Sequence, residues 1–477
     1  MFSEKLITLL QTFSKPELNR FRKYLLSPYL NDQPDATRLF EIINESLRKG
    51  TGNVADFDKQ RIWQQLFPGI PPDELQLRRL ASDLTQLTLQ FMVAEARQQD
   101  PLSEALDMHQ LLGKQELKKH QAGVERQIDK YIGASLGKSS QYYYAQFRKH
   151  VQNFNQASKT VSTAGYMDRL LPADHYLECF YIVQKLKFYV GWLHYRGFRA
   201  TDQVLEVIPG FWEYINGSKF ADVPIIRVYQ KMIACFTEPE QEEHFRKLVS
   251  ELEQFANDLP EEDLRECYQT AQNYCALKIN QGRTEYYSVF FNLIKDTIQW
   301  GILLENGQIS EGVFKNTVTI GLRVNEFDWV ETFIRDYAPY LPSNIRENAR
   351  SFNLANLYSH QKKYDKVIEL LRDVEYSDIV YALGSKLVLL RTYYESDEYL
   401  AMDSLIDSFK IYLRRNKVIS KGLKREYNNF LIYLKKLSTL NTSNPQAVEK
   451  FKKRLQEMPN IVSKKWLLER IEVRSER

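Results

Sequence analysis

The stretch NLANLYSHQKKYDKVIELL, from Asn353 to Leu371, contains the pattern that decides the fold. Its two tyrosines, Tyr358 and Tyr364, lie six positions apart, and an apolar run follows the second one. The polar letters SHQKK between the two tyrosines fit a short turn, and the apolar residues on either side recur at helical steps. The stretch therefore predicts a helical hairpin.

The hairpin pattern recurs along the chain at a nearly constant interval. Three second helices align as FDWVETFI from Phe327, YDKVIELL from Tyr364 and YLAMDSLI from Tyr399, and their starts are 37 and 35 residues apart. Each begins with an aromatic residue, has an apolar residue three positions later and ends in an apolar pair. In the later two copies Tyr358 and Tyr393 precede the aligned tyrosines by six positions. A hairpin repeated at a period of about 35 residues is the signature of a helical solenoid.

The middle copy resembles a tetratricopeptide repeat. Leu354, Ala355 and Tyr358 match the family's leucine, small residue and tyrosine of the first helix. Tyr364 and Leu371 match the aromatic and the later apolar position of the second helix. A small residue at the Ala355 position lets two helices approach closely, and the tyrosines fill the seam between them.

The other two copies depart from the family pattern at named positions. Leu390 stands at the small position of the third copy, Met402 stands where the family prefers alanine, and Gly321 stands at the tyrosine position of the first copy. The closing proline is missing from the later two copies. The resemblance covers Ser310 to Leu413, and it implies a right-handed stack of hairpins with a concave groove that holds peptides or helices.

The rest of the chain also has helical periodicity. Ser14 is the expected N-cap of a helix, and Glu17 completes a capping box with it. Glycine (19 residues) and proline (16) are scarce among 477 residues, and no run alternates as a strand would, which argues against a sheet-rich fold. We expect an all-α protein with three segments: an N-terminal helical module (1–100), irregular helical hairpins (101–270) and tetratricopeptide-like repeats with a basic C-terminal end (271–477).

Charge is distributed unevenly along the chain. The formal net charge is +4, but the segment from Ile411 to Arg477 has 17 basic and 6 acidic residues, a net +11. In this segment the cations are interleaved with Tyr427, Phe430 and Tyr433. Basic residues with aromatic ones can bind nucleic acid through phosphates and stacked bases, or an acidic partner through charge alone. The alternative is a last helical pair whose aromatic residues face inward, and we favour it because it requires only amphipathicity.

Cysteine content and hydropathy bear on the compartment. The four cysteines, Cys179, Cys235, Cys267 and Cys275, form no disulfide framework, and we expect buried thiols in a reducing environment. The N-terminus has no signal-peptide pattern, and no window has the uncharged apolar length of a membrane span. We therefore expect a cytoplasmic protein without a membrane partner.

Two patterns imitate functional sites. Gly133, Ser135 and Gly137 satisfy the spacing of a hydrolase nucleophile elbow, and Gly137, Lys138 and Ser139 resemble the end of a phosphate-binding loop. Both motifs need a preceding β-strand, but the residues before them have a helical pattern. His175 and Cys179 could offer two metal ligands from one helix face, but no second pair is evident. We expect no cofactor and no enzymatic activity.

The sequence favours a scaffold that binds a partner peptide or helix in a concave groove, and the nearby +11 segment favours an acidic partner. A regulatory protein with a nucleic-acid-binding or acidic-partner-binding basic end is the second hypothesis, and an enzyme is the last. If Ala355 and Tyr358 pack toward neighbouring helices, the opposite face of the same helix and its equivalents line the groove. The residues predicted to bind the partner are Lys315, Asn316, Phe352, Asn353, Asn356, His360, Arg391 and Tyr394.

Overall fold

The chain is all-helical, as expected. A computed structural model describes residues 3–48, 57–135, 138–157, 163–198, 203–220, 222–372, 379–441 and 444–475. Within these ranges it contains 23 α-helices and no β-strand, and the only β-type pairing there is an isolated bridge between Glu305 and Gln308. The chain divides into two compact units, Met1–Lys185 with Gly210–Phe220 and Leu186–Pro209 with Ala221–Arg477. The division into three segments at residues 100 and 270 stays a prediction.

The first unit is built from consecutive helices around two cores. Its helices are α1 (Glu4–Gln11), α2 (Lys15–Leu25), α3 (Pro34–Arg48), α4 (Lys59–Leu66), α5 (Glu74–Gln98), α6 (Pro101–Lys114), α7 (Lys118–Ser135), α8 (Ser140–Ala157), the first part of α9 (Thr163–Phe198) and α10 (Phe211–Ile215). A short 3-10 helix, Ser218–Phe220, follows. Helices α1 to α5 enclose one core around Phe21, Phe40 and Trp63, and helices α6 to α8 enclose a smaller one.

The predicted capping box at the start of α2 is confirmed. The Ser14 backbone N–H donates to Glu17 Oε2 (2.6 Å), and the Glu17 N–H donates to Ser14 Oγ (3.4 Å). This exchange satisfies two of the backbone donors that a helix start leaves without partners.

The second unit is a series of helices that pack in neighbouring pairs. Its helices, after the end of α9, are α11 (Pro224–Thr237), α12 (Glu242–Phe255), α13 (Glu261–Asn280), α14 (Tyr286–Gln299), α15 (Glu311–Arg323), α16 (Phe327–Tyr337), α17 (Arg346–His360), α18 (Tyr364–Leu371), α19 (Ile379–Glu395), α20 (Tyr399–Arg415), α21 (Lys421–Ser438), α22 (Pro445–Glu457) and α23 (Lys464–Ser475). Short 3-10 helices occupy Ala256–Asp258 and Ala338–Tyr340. From α11 to α20 each odd-numbered helix packs on the next helix, and α15, α17 and α19 also contact one another in order.

The three aligned hairpins share one turn geometry. In each, one residue adopts a left-handed conformation, and the next backbone N–H donates to the carbonyl five residues earlier. The left-handed residues are Asn325 (φ 63°), Lys362 (φ 57°) and Asp397 (φ 60°). The corresponding bonds are Glu326 to Gly321 (3.0 Å), Lys363 to Tyr358 (2.9 Å) and Glu398 to Tyr393 (2.8 Å). This is the Schellman helix ending, and its repetition at the sequence period shows that the three turns are structurally equivalent.

The aligned second helices begin at the predicted residues. Helices α16, α18 and α20 start at Phe327, Tyr364 and Tyr399. The apolar residue three positions later is fully buried in each copy; these residues are Val330, Val367 and Met402, each at 0% exposure. The side chain three positions into the second helix is therefore buried in the interior in all three hairpins.

Gly321 marks the closest helix approach in the first of these hairpins. A Cβ atom at this position would lie 2.4 Å from Cγ2 of Val330 and 3.6 Å from the Trp329 ring. Val330 is β-branched and fully buried, so its side chain has little room to move. The absence of a side chain at position 321 thus has a packing reason.

We predict that Gly321→Ala destabilises the protein by about 1–3 kcal/mol, because overpacking against Val330 outweighs the usual helix-propensity gain of about 1 kcal/mol. Gly312→Ala in the same helix is the matched control, since nothing lies within 4 Å of its added Cβ, and we expect it to be neutral or stabilising. Urea unfolding of both variants measures the difference. Equal stabilisation by the two substitutions would refute the close approach.

Candidate functional site

The eight residues predicted to bind a partner lie on the first helices of three successive hairpins, α15, α17 and α19, and differ in exposure. Lys315, Asn316 and His360 are exposed, Phe352, Asn356 and Arg391 are half-buried, and Asn353 and Tyr394 are buried. The structure therefore brings the helices together as expected but leaves only part of the set accessible.

Asn353 and Tyr394 do not project from an open face, and the prediction is wrong on this point. Asn353 is 2% exposed, and its side-chain amide donates to the Ala349 carbonyl (2.7 Å). Tyr394 is 7% exposed, and its ring meets the Trp466 ring edge-on at 5.5 Å between centroids. The cause is that α17 has neighbours on several sides, and that Trp466 of α23 packs on α19.

Phe352 and Asn356 also point their functional groups into the protein. The Phe352 ring lies edge-on to Tyr381 (5.5 Å) and against the backbone of Gly384, so it fills the seam between α17 and α19. The Asn356 amide donates to the Phe352 carbonyl (2.8 Å) in its own helix. Binding of a partner by the remaining exposed residues stays a prediction.

Arg391 is the centre of a group of cationic side chains. Its guanidinium lies 5.2 Å from the centre of the Trp466 ring, a cation–π contact. Its Nε atom is buried and has no hydrogen-bond partner in the described part of the chain. Burial lowers the pKa of Arg391, and an arginine nevertheless stays charged at neutral pH.

Glu395 is the carboxylate closest to this charge, and its oxygens are already engaged. Trp466 Nε1 donates to Oε1 (2.6 Å), and the Tyr364 hydroxyl donates to Oε2 (3.0 Å). Arg470 NH1 lies 3.5 Å from Oε1, and Glu395 is 13% exposed. Burial, followed by the charge of Glu395, raises the pKa of Tyr364 to about 12, so the phenol remains a donor.

Basic side chains from two further hairpins lie near the same place. Burial of the His360 ring lowers the pKa of His360, and the neighbouring charges of Arg391 and Arg323 lower it further. His360 is exposed as a residue, but its Nδ1 lies 2.9 Å from the Asn356 carbonyl, so that part of the ring is shielded. Arg323, which the sequence prediction missed, ends α15 as His360 ends α17. We call Arg323, His360, Arg391 and Arg470 the arginine cluster.

The basic C-terminal segment keeps its aromatic residues inside. Tyr427, Phe430 and Tyr433 are 9%, 0% and 7% exposed. They belong to the core of α17 to α23, as the inward-facing interpretation requires. Base stacking on these rings is therefore not available to a nucleic acid.

The segment that imitates catalytic motifs follows a helix. Residues Gly133 and Ser135 end α7, and Ser140 starts α8, so no strand precedes the turn in the described residues. Gly137 lies outside the described residues. Both a nucleophile elbow and a phosphate-binding loop need a strand–turn–helix context, so the segment lacks the structural support that either motif requires.

The His175–Cys179 pair lies on one helix face but is not built as a metal site. Cys179 Sγ is 3.7 Å from His175 Nε2, and Cys179 is fully buried. Burial raises the pKa of this thiol to about 12, which disfavours the thiolate that a metal needs. All four cysteines are free and buried, as expected. Within the described residues, no three His, Cys, Asp or Glu side chains are grouped to hold a metal ion.

A group of catalytic-type side chains lies in the interior of the second unit. The Tyr229 hydroxyl oxygen is 2.8 Å from Asp263 Oδ1 and 2.7 Å from Glu266 Oε2. Lys187 Nζ is 2.8 Å from the same Asp263 oxygen. One phenol has one proton and cannot donate fully to two carboxylates at once, and a proton on Glu266 would supply the second hydrogen bond. Burial raises the pKa of Glu266, in agreement with this proton.

None of the helices in the described ranges has the length and apolar character that a bilayer crossing requires. No model of a known protein family matches this chain, and no curated protein matches it.

We predict that Glu395→Ala destabilises the protein by about 3–5 kcal/mol, because it leaves Arg391 and Arg470 without their shared counter-charge in a partly buried site. Glu398→Ala is the matched control three residues along. Glu398 is the N-cap residue of α20, but its side chain is exposed and makes no capping hydrogen bond, so we expect a change within about 0.5 kcal/mol. Thermal and urea unfolding compare the two. A Glu395→Ala variant as stable as the control would show that the cluster does not depend on this carboxylate.

We predict that Glu266→Gln removes a pH dependence of stability. Folding raises the pKa of Glu266 above 4.5, so the folded state binds this proton more tightly than the unfolded state does. The resulting contribution to folding stability is complete below pH 4.5. It is lost as the pH rises through the folded-state pKa of Glu266. Urea unfolding at increasing pH should show the wild type losing stability relative to Glu266→Gln. The exposed Glu262→Gln on the same helix should follow the wild type. Parallel curves for all three proteins would exclude the protonated carboxyl.

Proposed function

We propose that the protein is a non-enzymatic interaction scaffold whose second unit binds an acidic segment of a protein partner. The arginine cluster is the observation that carries this proposal. Arginines from α15, α19 and α23 and the His360 ring of α17 gather around Glu395, whose oxygens are already engaged, and Glu469 adds one further acidic side chain nearby. A carboxylate from outside would gain charge-assisted hydrogen bonds with the exposed Arg323 guanidinium of this cluster.

The proposed architecture is a tetratricopeptide-like solenoid in the part from α15 to α20. The shared Schellman turns, the buried residue at the same position of each second helix, and the ordered contacts among α15, α17 and α19 support it. In such an array the first helices line one face. Lys315, Asn316, Arg323 and His360 are exposed on these first helices, and the proposed binding surface consists of them together with Arg391.

Binding of nucleic acid is the less favoured alternative. The segment from Ile411 to Arg477 supplies positive charge, but its interleaved aromatic rings are buried in the core. The proposed location is the cytoplasm, and the four buried free thiols support a reducing compartment.

We predict that a Lys315→Glu/Arg323→Glu variant keeps the wild-type melting temperature and loses the partner. Both side chains are exposed, so their reversal should leave folding intact and repel an acidic ligand. Affinity purification from the native cell, read by mass spectrometry, identifies the partner. Binding measurements with that partner should then show a loss of about tenfold or more, which shrinks at high salt.

The matched control for this experiment is Lys450→Glu/Lys453→Glu, an equal charge reversal at exposed positions of α22. It should retain the partner. An unchanged affinity in Lys315→Glu/Arg323→Glu would place the binding surface elsewhere.

A further inference from the structure

A second positively charged site lies outside the arginine cluster, in a cleft between α20 and α21. The cleft has a volume of about 430 Å³. Its lining residues are Lys410, Ile411, Leu413 and Arg414 from α20, and Lys424 and Asn428 from α21. It combines three cations with an amide and two aliphatic side chains.

The charge in this cleft is mostly unpaired. The side chains of Arg414 and Lys424 make no hydrogen bond or ion pair within the described part of the chain. Lys410 has one contact, to Asp407 at 3.4 Å on its own helix, and both side chains are exposed. Exposed pairs of this kind contribute little, so Asp407 does not hold Lys410 away from a ligand. The cleft therefore offers three cations to an incoming acid.

Part of the cleft lining is apolar. Ile411 is 41% exposed beside the cations of α20, whereas Leu413, on another face of the same helix, is buried at 1%. An isolated inorganic anion would leave the exposed aliphatic surface without a contact. An amphipathic helix with acidic residues beside apolar ones would contact both the cations and this surface. Lys410 and Arg414 are four residues apart on one helix, so their side chains begin about 6 Å from each other. Two carboxylates four residues apart on a partner helix have the same separation.

We propose that the α20–α21 cleft binds an acidic amphipathic helix of a protein partner. Arg414 and Lys410 face a pair of partner carboxylates from one wall, and Lys424 with Asn428 faces them from the other. Ile411 contacts an apolar partner side chain beside the cations of α20. A nucleic acid fits less well, because Tyr427 and Phe430 are buried and cannot stack with bases, and a phosphate backbone leaves Ile411 without a contact.

The test uses the full chain and a synthetic helical peptide of about 18 residues, long enough for five turns. The peptide has glutamates four residues apart with leucines between them, and a second peptide has serine in place of leucine at equal charge. Fluorescence anisotropy should show saturable binding of the leucine peptide, weakened by added salt. The serine peptide should bind several-fold more weakly, since the apolar contact to Ile411 is lost.

Three protein variants locate the binding. Arg414→Glu/Lys424→Glu should weaken binding of the leucine peptide by about tenfold or more, and Ile411→Gln should weaken it by a smaller factor. Lys450→Glu/Lys453→Glu has the same change in net charge on α22 and should stay within about twofold of wild type. Lys315→Glu/Arg323→Glu should also leave this peptide bound, which separates the cleft from the arginine cluster.

Several results would overturn the proposal. The first is that the leucine peptide does not bind detectably, and the second is that the two peptides bind equally well. The third is that the α22 control weakens binding as much as Arg414→Glu/Lys424→Glu does, which would mean that net charge alone attracts the peptide. Tighter binding of a single-stranded oligonucleotide, lost in Arg414→Glu/Lys424→Glu, would assign the cleft to nucleic acid instead.

Discussion

The hairpins of the second unit depend on burying one side chain, three positions into each second helix, against the helix before it. Val330, Val367 and Met402 occupy this position and are completely buried. Burial of one such side chain contributes about 1.5–3 kcal/mol, whereas a non-glycine residue in a left-handed turn costs about 1–2 kcal/mol. Burial of this side chain thus offsets the cost of the left-handed residue at Asn325, Lys362 or Asp397. In the first hairpin, Gly321 allows the close approach of Val330.

The same packing determines where charge collects. The apolar residues pack in the seams between the helices. Arg323 and His360 lie at the ends of the first helices α15 and α17, and Arg391 of α19 lies near them. Helix α23 then closes over α19 through Trp466, which contacts Arg391 and donates to Glu395. The cluster is therefore made by residues far apart in sequence. The charge of the α20–α21 cleft, by contrast, comes from one local basic stretch.

The fold was more predictable from the sequence than the candidate site. Helix starts at Phe327, Tyr364 and Tyr399 follow from local periodicity and turn composition, and the capping box at Ser14 is a local signal. Burial of Asn353 and Tyr394 depends on which helices surround α17 and α19, and no local pattern encodes that. Arg470 was missed for the same reason, because only tertiary packing brings α23 to α19. Arg323 had a findable signal, since it precedes Phe327 by the four residues that separate His360 from Tyr364.

Amide hydrogen exchange at the three turns tests the equivalence of the hairpins most directly. The backbone N–H groups of Glu326, Lys363 and Glu398 donate to carbonyls five residues earlier, although their side chains are exposed. Equivalent Schellman turns predict slow exchange at all three amides in the native protein, measured residue by residue by NMR. Exchange of any of the three at the rate of an unprotected amide would contradict a repeated hairpin architecture.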